Sequence, residues 1–312
     1  MTLKKSTILM VAMNSEYILA IPDEECRQFA RKLMADNQNF SDLEALLEPF
    51  IMEHHEFSEC DKEEGIVARC TGDTLWKGFD LTFGTPDYGY ETISCVDENN
   101  PRELLDLEDF PVLLYVKGDA SLLGNPNRIT IVGTPEPSDY GKQVAARLGS
   151  FFTKRDFVVV SSIGEGIDFE VLQSCVNDKQ KTIAVLPSQC YRSLTEEEEK
   201  LLNVVVSGGG CLVAEYKDPF KTISKSPNSH ERILAALGKA LIVVESQLEE
   251  SPMHTAQYAI KLGRKLGCMN YLPNKNGTEG ARMELNDSLI REGTASKLLD
   301  GDDLKKFLEE LR

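Results

Sequence analysis

From Arg128 onward the chain alternates repeatedly between short runs of Val, Ile and Leu and stretches with helical spacing. The strand-like runs are Ile129–Val132, Phe157–Ser161, Thr182–Leu186, Cys211–Ala214, Leu241–Glu245 and a weaker Gly267–Leu272. Between them the spacing predicts helices over Asp139–Thr153, Asp168–Val176, Leu194–Val206, Glu231–Leu237 and Met253–Leu262. Runs that stay apolar at every position belong to strands covered on both faces, because a half-exposed strand alternates apolar with polar residues. The expected fold class is therefore α/β, a parallel sheet flanked by helices, with any ligand at the carboxyl ends of the strands.

The part before this pattern differs in charge as well as in rhythm. Residues 1–118 hold 10 Lys and Arg against 24 Asp and Glu, a net −14, while residues 119–312 carry only −3. The acidity thus belongs to the front of the chain, and it does not exclude anionic ligands from the α/β part, where the local field decides. Ile21–Met34 and Phe40–His54 read as two short helices, the first with acidic residues in its opening turn, so a small, acidic, mainly helical N-terminal module is expected. A last helix is expected over Asp302–Leu311. The run Glu196–Lys200 reads as the solvated face of a helix.

No apolar run approaches the roughly 18 residues of a membrane span. Lys4 and Lys5 before Ser6–Met13 imitate a leader, but Asn14 and Glu16 interrupt the apolar stretch. The expectation is a cytoplasmic chain with no membrane partner. The eight cysteines form no CxxC pair and no Cys/His ligand spacing, so they are expected to be reduced and mostly buried, with no metal and no cofactor.

Three segments can hold an anion. In VVVSSIGEGID, Val158–Asp168, a strand runs through Gly164 and Gly166 into a helix, an arrangement that either makes a tight turn or presents backbone N–H groups to a phosphate. Asp168 there either caps the helix or positions a sugar hydroxyl. In IVGTPEPSDYGKQVA, Ile131–Ala145, Gly133 closes a strand and Ser138 or Asp139 is a good N-cap. The loop after Glu215 carries Lys217, Lys221, Lys225, His230 and Arg232 against Asp218 and Glu231, a basic insertion in an acidic protein. Catalytic signals are weak: no GxSxG, HExxH, GxGxxG or Walker A motif occurs, and the histidines at 54, 55, 230 and 254 match no catalytic pattern. Glu215 and Glu245 stand near strand ends, where ligand-binding acids and purely hydrogen-bonding acids both occur.

In collinear order the segments FPVLLYVKGD (Phe110–Asp119), IVGTPEPSDYG (Ile131–Gly141), VVSSIGEGID (Val159–Asp168), KTIAVLPS (Lys181–Ser188), GCLVAEY (Gly210–Tyr216), HERILAAL (His230–Leu237), LIVVES (Leu241–Ser246), MHTAQYAIKLGR (Met253–Arg264) and LIREGT (Leu289–Thr294) resemble the DNA-processing protein A (DprA/Smf) family. The resemblance covers Tyr90–Leu299. It implies an extended Rossmann-like domain over residues 90–299, preceded by the acidic module 1–89 and followed by the helical segment 300–312. It also implies single-stranded DNA binding in DNA uptake, recombination or processing, homodimerisation, a RecA-type recombinase as partner, and no enzymatic activity. Carried onto this chain, Gly164 and Gly166 are expected to approach phosphates, Lys217, Lys221, Lys225 and Arg232 to supply positive charge, and Thr134, Ser161 and Ser162 to donate hydrogen bonds, with Asp168 beside them. Tyr216 and Phe220 are candidate stacking residues.

The chain departs from the family pattern at several of these places. Val132-Gly133-Thr134-Pro135 stands where the family writes VGSR, Ser162 replaces a glycine of SGxAxGID, and His230-Glu231-Arg232 replaces RNR. A rival reading is therefore a nucleotide sensor or a phosphoribohydrolase-like enzyme of the same superfamily, although the PGGxGTxxE signature is missing. A third is a scaffold whose acidic front engages a basic partner.

Overall fold

The computed structural model describes residues 5, 7–10, 23–35, 89–186, 194–216, 229–271 and 280–311. The expected helix Phe40–His54, the lysines at 217, 221 and 225, and Phe220 lie outside them. The chain divides into two compact units, Met1–Asn100 with Glu108–Leu114, and Pro101–Leu107 with Tyr115–Arg312.

In the first unit, helix α1 (Asp23–Ala35) buries Cys26, Phe29, Ala30 and Leu33, an i, i+3, i+4, i+7 stripe that gives it one apolar face. On its opposite face Glu24 accepts from Arg27 and Arg31, and Arg31 also donates to the Glu108 carbonyl oxygen at 2.7 Å. Strand β1 (Glu91–Ser94) belongs to this unit.

The second unit is built on a sheet that takes up β2 (Leu113–Gly118), β3 (Arg128–Val132), β4 (Val158–Ser162), β5 (Thr182–Val185), β6 (Cys211–Ala214), β7 (Ala240–Val243), β8 (Lys265–Met269) and β9 (Ser296–Leu298). Their spatial order is β2-β6-β5-β4-β3-β7-β8-β9. From β3 to β9 every neighbouring pair is parallel, as the βα rhythm requires. The exception is β2, which runs antiparallel to β6 with Tyr115 opposite Ala214, so the sheet is mixed rather than wholly parallel. A strand's apolar pattern carries no direction, and β2 precedes the first βα unit.

Helices α2 (Asp139–Thr153), α3 (Ile167–Asn177), α4 (Glu196–Ser207), α5 (Ser229–Leu237) and α6 (Ser251–Lys261) connect the strands, with α7 (Glu284–Arg291) before β9 and α8 (Gly301–Glu309) after it. The chain steps one way from β3 to β6 and then returns to β7 on the other side of β3. Right-handed crossovers put the helices of these two halves on opposite faces. Strand β3 records both faces: Ile129 and Ile131 pack with Val144, Leu148 and Phe152 of α2, whereas the Thr130 hydroxyl donates to the Leu234 carbonyl of α5 at 2.7 Å. Leu304, Phe307 and Leu308 of α8 join the same core as α2.

Local chemistry sets the helix limits. Ser138 caps α2 by accepting from Gly141 N–H at 3.0 Å, and Thr195 and Glu198 form a capping box on α4. Within the expected solvated run, Glu198 is buried by that capping role while Glu196, Glu197, Glu199 and Lys200 stay exposed. The described cysteines at 26, 95, 175, 211 and 268 are all buried. No helix among the described residues is long and apolar enough to cross a membrane.

Candidate functional site

The reversal of strand order places a crevice between the carboxyl ends of β3 and β7, the position where open α/β sheets bind ligands. The two strand ends continue to pair past the ladder: Val244 N–H donates to Val132 O at 3.1 Å and Thr134 N–H to Glu245 O at 2.7 Å. Beside them lies the turn from β4 into α3.

Its two glycines have different surroundings. Gly166 caps α3 with φ +80, and a Cβ there would stand 2.4 Å from the Thr134 carbonyl oxygen and 2.6 Å from Pro135 backbone. Gly133 answers from the other side, since its Cβ would meet Ile167 at 2.6 Å. These two glycines let the post-β3 loop touch the first turn of α3, where Ile167 N–H donates to Thr134 O at 3.1 Å. A Cβ on Gly164 would meet nothing within 4 Å. Of the loop glycines 164 and 166, Gly164 is therefore the one with open space beside its backbone, close to the positive end of α3.

Asp168 ties the ends of β3 and β4 together. Gly133 N–H donates to its Oδ1 at 3.0 Å, and burial pushes its carboxyl up to about 8 against the downward pull of the Gly133 and Ser162 N–H groups. At neutral pH it is largely protonated, so an anion in the crevice meets a neutral group.

The hydroxyls expected to face a ligand all have internal acceptors. Ser161, fully buried, donates to Ile131 O at 2.8 Å, and Ser162 lies 3.4 Å from Ile163 O. Thr134 donates to Glu250 Oε1 at 2.8 Å. Arg232 is also turned inward: its guanidinium, 3% exposed, makes a two-pronged pair with Glu215 at 2.8 and 2.7 Å. Tyr216 beside it is buried. The expected site thus divides into an open glycine turn, the side chains of Asp168, Thr134 and Ser161 that tie its surroundings together, and an inward-facing pair of Arg232 and Glu215 after β6.

Glu245, fully buried, accepts from both the N–H (2.9 Å) and the hydroxyl (2.6 Å) of Ser138 and from the Tyr271 hydroxyl. A fully buried carboxylate holding three donors in this way supports the start of α2. Sequence reasoning missed Arg282, which reaches the same edge from the segment before α7 and pairs with Glu250 at 3.1 Å and with Glu136. No local motif marks it.

The chain matches the model of the family described as DNA recombination-mediator protein A over residues 91–309. It is 28% identical over 180 residues to DNA processing protein DprA of Bacillus subtilis, a match covering 58% of this chain and 60% of that protein's own length. It is 25% identical over 240 residues to Protein Smf of Synechocystis, covering 69% of this chain and 59% of the relative. The chain thus aligns with about six tenths of each of these relatives. Among solved structures, DNA processing protein A of Helicobacter pylori, which binds single-stranded DNA, superposes with a TM-score of 0.60 at 26% identity, covering 71% of this chain and 96% of that one. DNA processing protein A of Streptococcus pneumoniae superposes with a TM-score of 0.66 at 20% identity over 98% of both chains, a likeness of fold. With the matched model spanning the whole α/β pattern first seen in the residues, the chain belongs to the DNA recombination-mediator protein A family.

Proposed function

We propose that the chain binds single-stranded DNA across the carboxyl edge of its sheet, with the phosphates running past Gly164 at the start of α3. The observation that carries this reading is the open space at Gly164, at a helix N-terminus, beside the point where the strand order reverses. The Helicobacter pylori relative supports the choice of a single-stranded polymer. Lys217, Lys221, Lys225 and Phe220 supply charge and stacking from the segment between β6 and α5, Gly166, Asp168, Thr134, Ser161 and Ser162 maintain the turn, and Arg232 holds Glu215. The protein acts in DNA uptake, recombination or processing, as a homodimer with a RecA-type recombinase, in the cytoplasm. It is a binding protein rather than an enzyme, since Glu215 and Glu245, the acids at the strand ends, are engaged by Arg232 and Ser138.

The test is anisotropy of a labelled dT oligonucleotide titrated with the full chain at several salt concentrations. Replacing Lys217, Lys221 and Lys225 together with Gln is expected to weaken binding and to flatten the slope of log K against log salt by about 2, at roughly 0.7 per single-strand phosphate contact. An unchanged slope, together with a thermal shift by a mononucleotide, would overturn the polymer reading in favour of a nucleotide pocket.

A further inference from the structure

The crevice edge is rich in acids. Glu136 and Glu250 stand there, and the Arg282 guanidinium enters between them from far along the chain. The segment that delivers Arg282 is firmly based. Leu285 N–H donates to Ser246 O at 3.0 Å, and the fully buried Asn286 side-chain amide donates to Val243 O, Val244 O and Met269 O at 3.1, 2.9 and 2.9 Å. These acceptors lie at or just past the carboxyl ends of β7 and β8, so the base of Arg282 is tied to the strands that form the crevice.

The two Nη groups have unequal partners. Nη1 binds Glu250 Oε1, which also accepts from Thr134, and the Glu250 side chain is 15% exposed. Nη2 binds Glu136, whose side chain is 71% exposed. The inner pair holds the guanidinium plane beside Thr134. The outer pair lies largely in water, where an ion pair contributes little and is readily exchanged. A guanidinium has a fixed fork of donors suited to phosphate, so the outer position is one a phosphate can take over.

We propose that Arg282 is an anion-binding residue of this crevice and that Glu136 is its resident counter-ion, displaced when a phosphodiester of the nucleic acid arrives. The inference rests on the single-stranded DNA reading above and adds to it a cationic contact supplied from the far side of β7. Glu250 and Thr134 act as positioning residues, since they hold the guanidinium and do not meet the phosphate.

The experiment is the same dT oligonucleotide titration with Arg282→Gln, Arg282→Lys, Glu136→Gln and the double variant, each checked for folding by its melting temperature. Arg282→Gln is expected to lower affinity about tenfold at low salt and to reduce the salt slope by about 0.7, the share of one single-strand phosphate contact. Arg282→Lys retains the charge and most of the affinity. Glu136→Gln should tighten binding several-fold, because the guanidinium no longer has to leave a carboxylate. That gain should largely vanish in the double variant, since the two residues act as one unit. The proposal is overturned if folded Arg282→Gln binds as wild type does, or if Glu136→Gln gives the same gain with and without Arg282. If wild type itself fails to bind the oligonucleotide, the function reading falls and this one with it. If wild type binds and the variants do not differ, this one alone falls.

Discussion

The two loop glycines should separate folding from binding. At Gly166 an added methyl meets three backbone atoms of Thr134 and Pro135 at 2.4 to 2.6 Å, and the residue has φ +80 and ψ −128. That conformation is essentially restricted to glycine, at a cost of about 1–3 kcal/mol for other residues. Backbone atoms cannot turn away as a flexible side chain can, so the overlap adds about 1–3 kcal/mol. Gly166→Ala should therefore lose about 2–6 kcal/mol, a fall in Tm of roughly 5–20 °C at about 2–4 °C per kcal/mol for a unit of this size. Gly164→Val adds its side chain to open space and should stay within about 0.5 kcal/mol of wild type. It should nevertheless weaken oligonucleotide binding about tenfold by covering the backbone approach at the start of α3. Thermal melts followed by circular dichroism give the first quantity, and anisotropy on the folded variants gives the second. A Gly166→Ala variant that melts with wild type would refute the close approach of the loop after β3 to α3. A Gly164→Val variant that binds as wild type does would remove the glycine turn from the site.

Asp168→Asn should change the pH dependence of stability. With the native carboxyl raised to about 8, the folded chain keeps a proton that the unfolded chain gives up near 4. Wild-type stability should therefore decline as pH rises between those values, by up to about 1.4 kcal/mol per pH unit, whereas the variant lacks this slope and gains on wild type toward pH 8. Urea midpoints at pH 5, 6.5 and 8 provide the check, and parallel profiles would count against a buried, protonated Asp168. Arg232→Met should cost about 3–5 kcal/mol by leaving the largely buried Glu215 without its two-pronged partner. If that variant keeps its urea midpoint but loses oligonucleotide affinity, the guanidinium serves the ligand and not the fold.

The strands were legible because a strand covered on both faces has no polar alternate, and Val158–Val160 or Leu241–Val243 admit no other reading in a βα series. Helix α2 was legible to its limits, Asp139 and Thr153, because Ser138 caps it locally. What the residues do not carry is direction or facing. Nothing in LLYVKG tells β2 to run against β6, and nothing in VVVSS reveals that the Ser161 hydroxyl turns to Ile131 rather than toward a ligand. The glycine motif was visible, but the different surroundings of Gly164 and Gly166 depend on Thr134 and Pro135, which the fold brings to one of them. Arg232 illustrates the same limit. Its charge suggested a phosphate contact, and only the fold, which brings Arg232 of α5 to Glu215 just after β6, reveals its partner. Arg282 could not be found locally at all, because its meaning comes from a carboxylate 146 residues away.

The return of the chain from β6 to β7 has a consequence for how the protein is made. Ser138 lies 107 residues before Glu245, Thr134 lies 116 before Glu250, and Glu136 lies 146 before Arg282. A growing chain can pair β3, β4, β5 and β6 as each emerges, because those contacts join successive βα units. The crevice has only one wall until β7 is laid beside β3, and its last cation arrives later still with the segment before α7. Since long loops close late and slowly, the half-sheet is expected to form first and the site to be completed only after Arg282 has emerged. A nascent chain halted before Ala240 would hold the glycine turn of α3 without the strand that faces it.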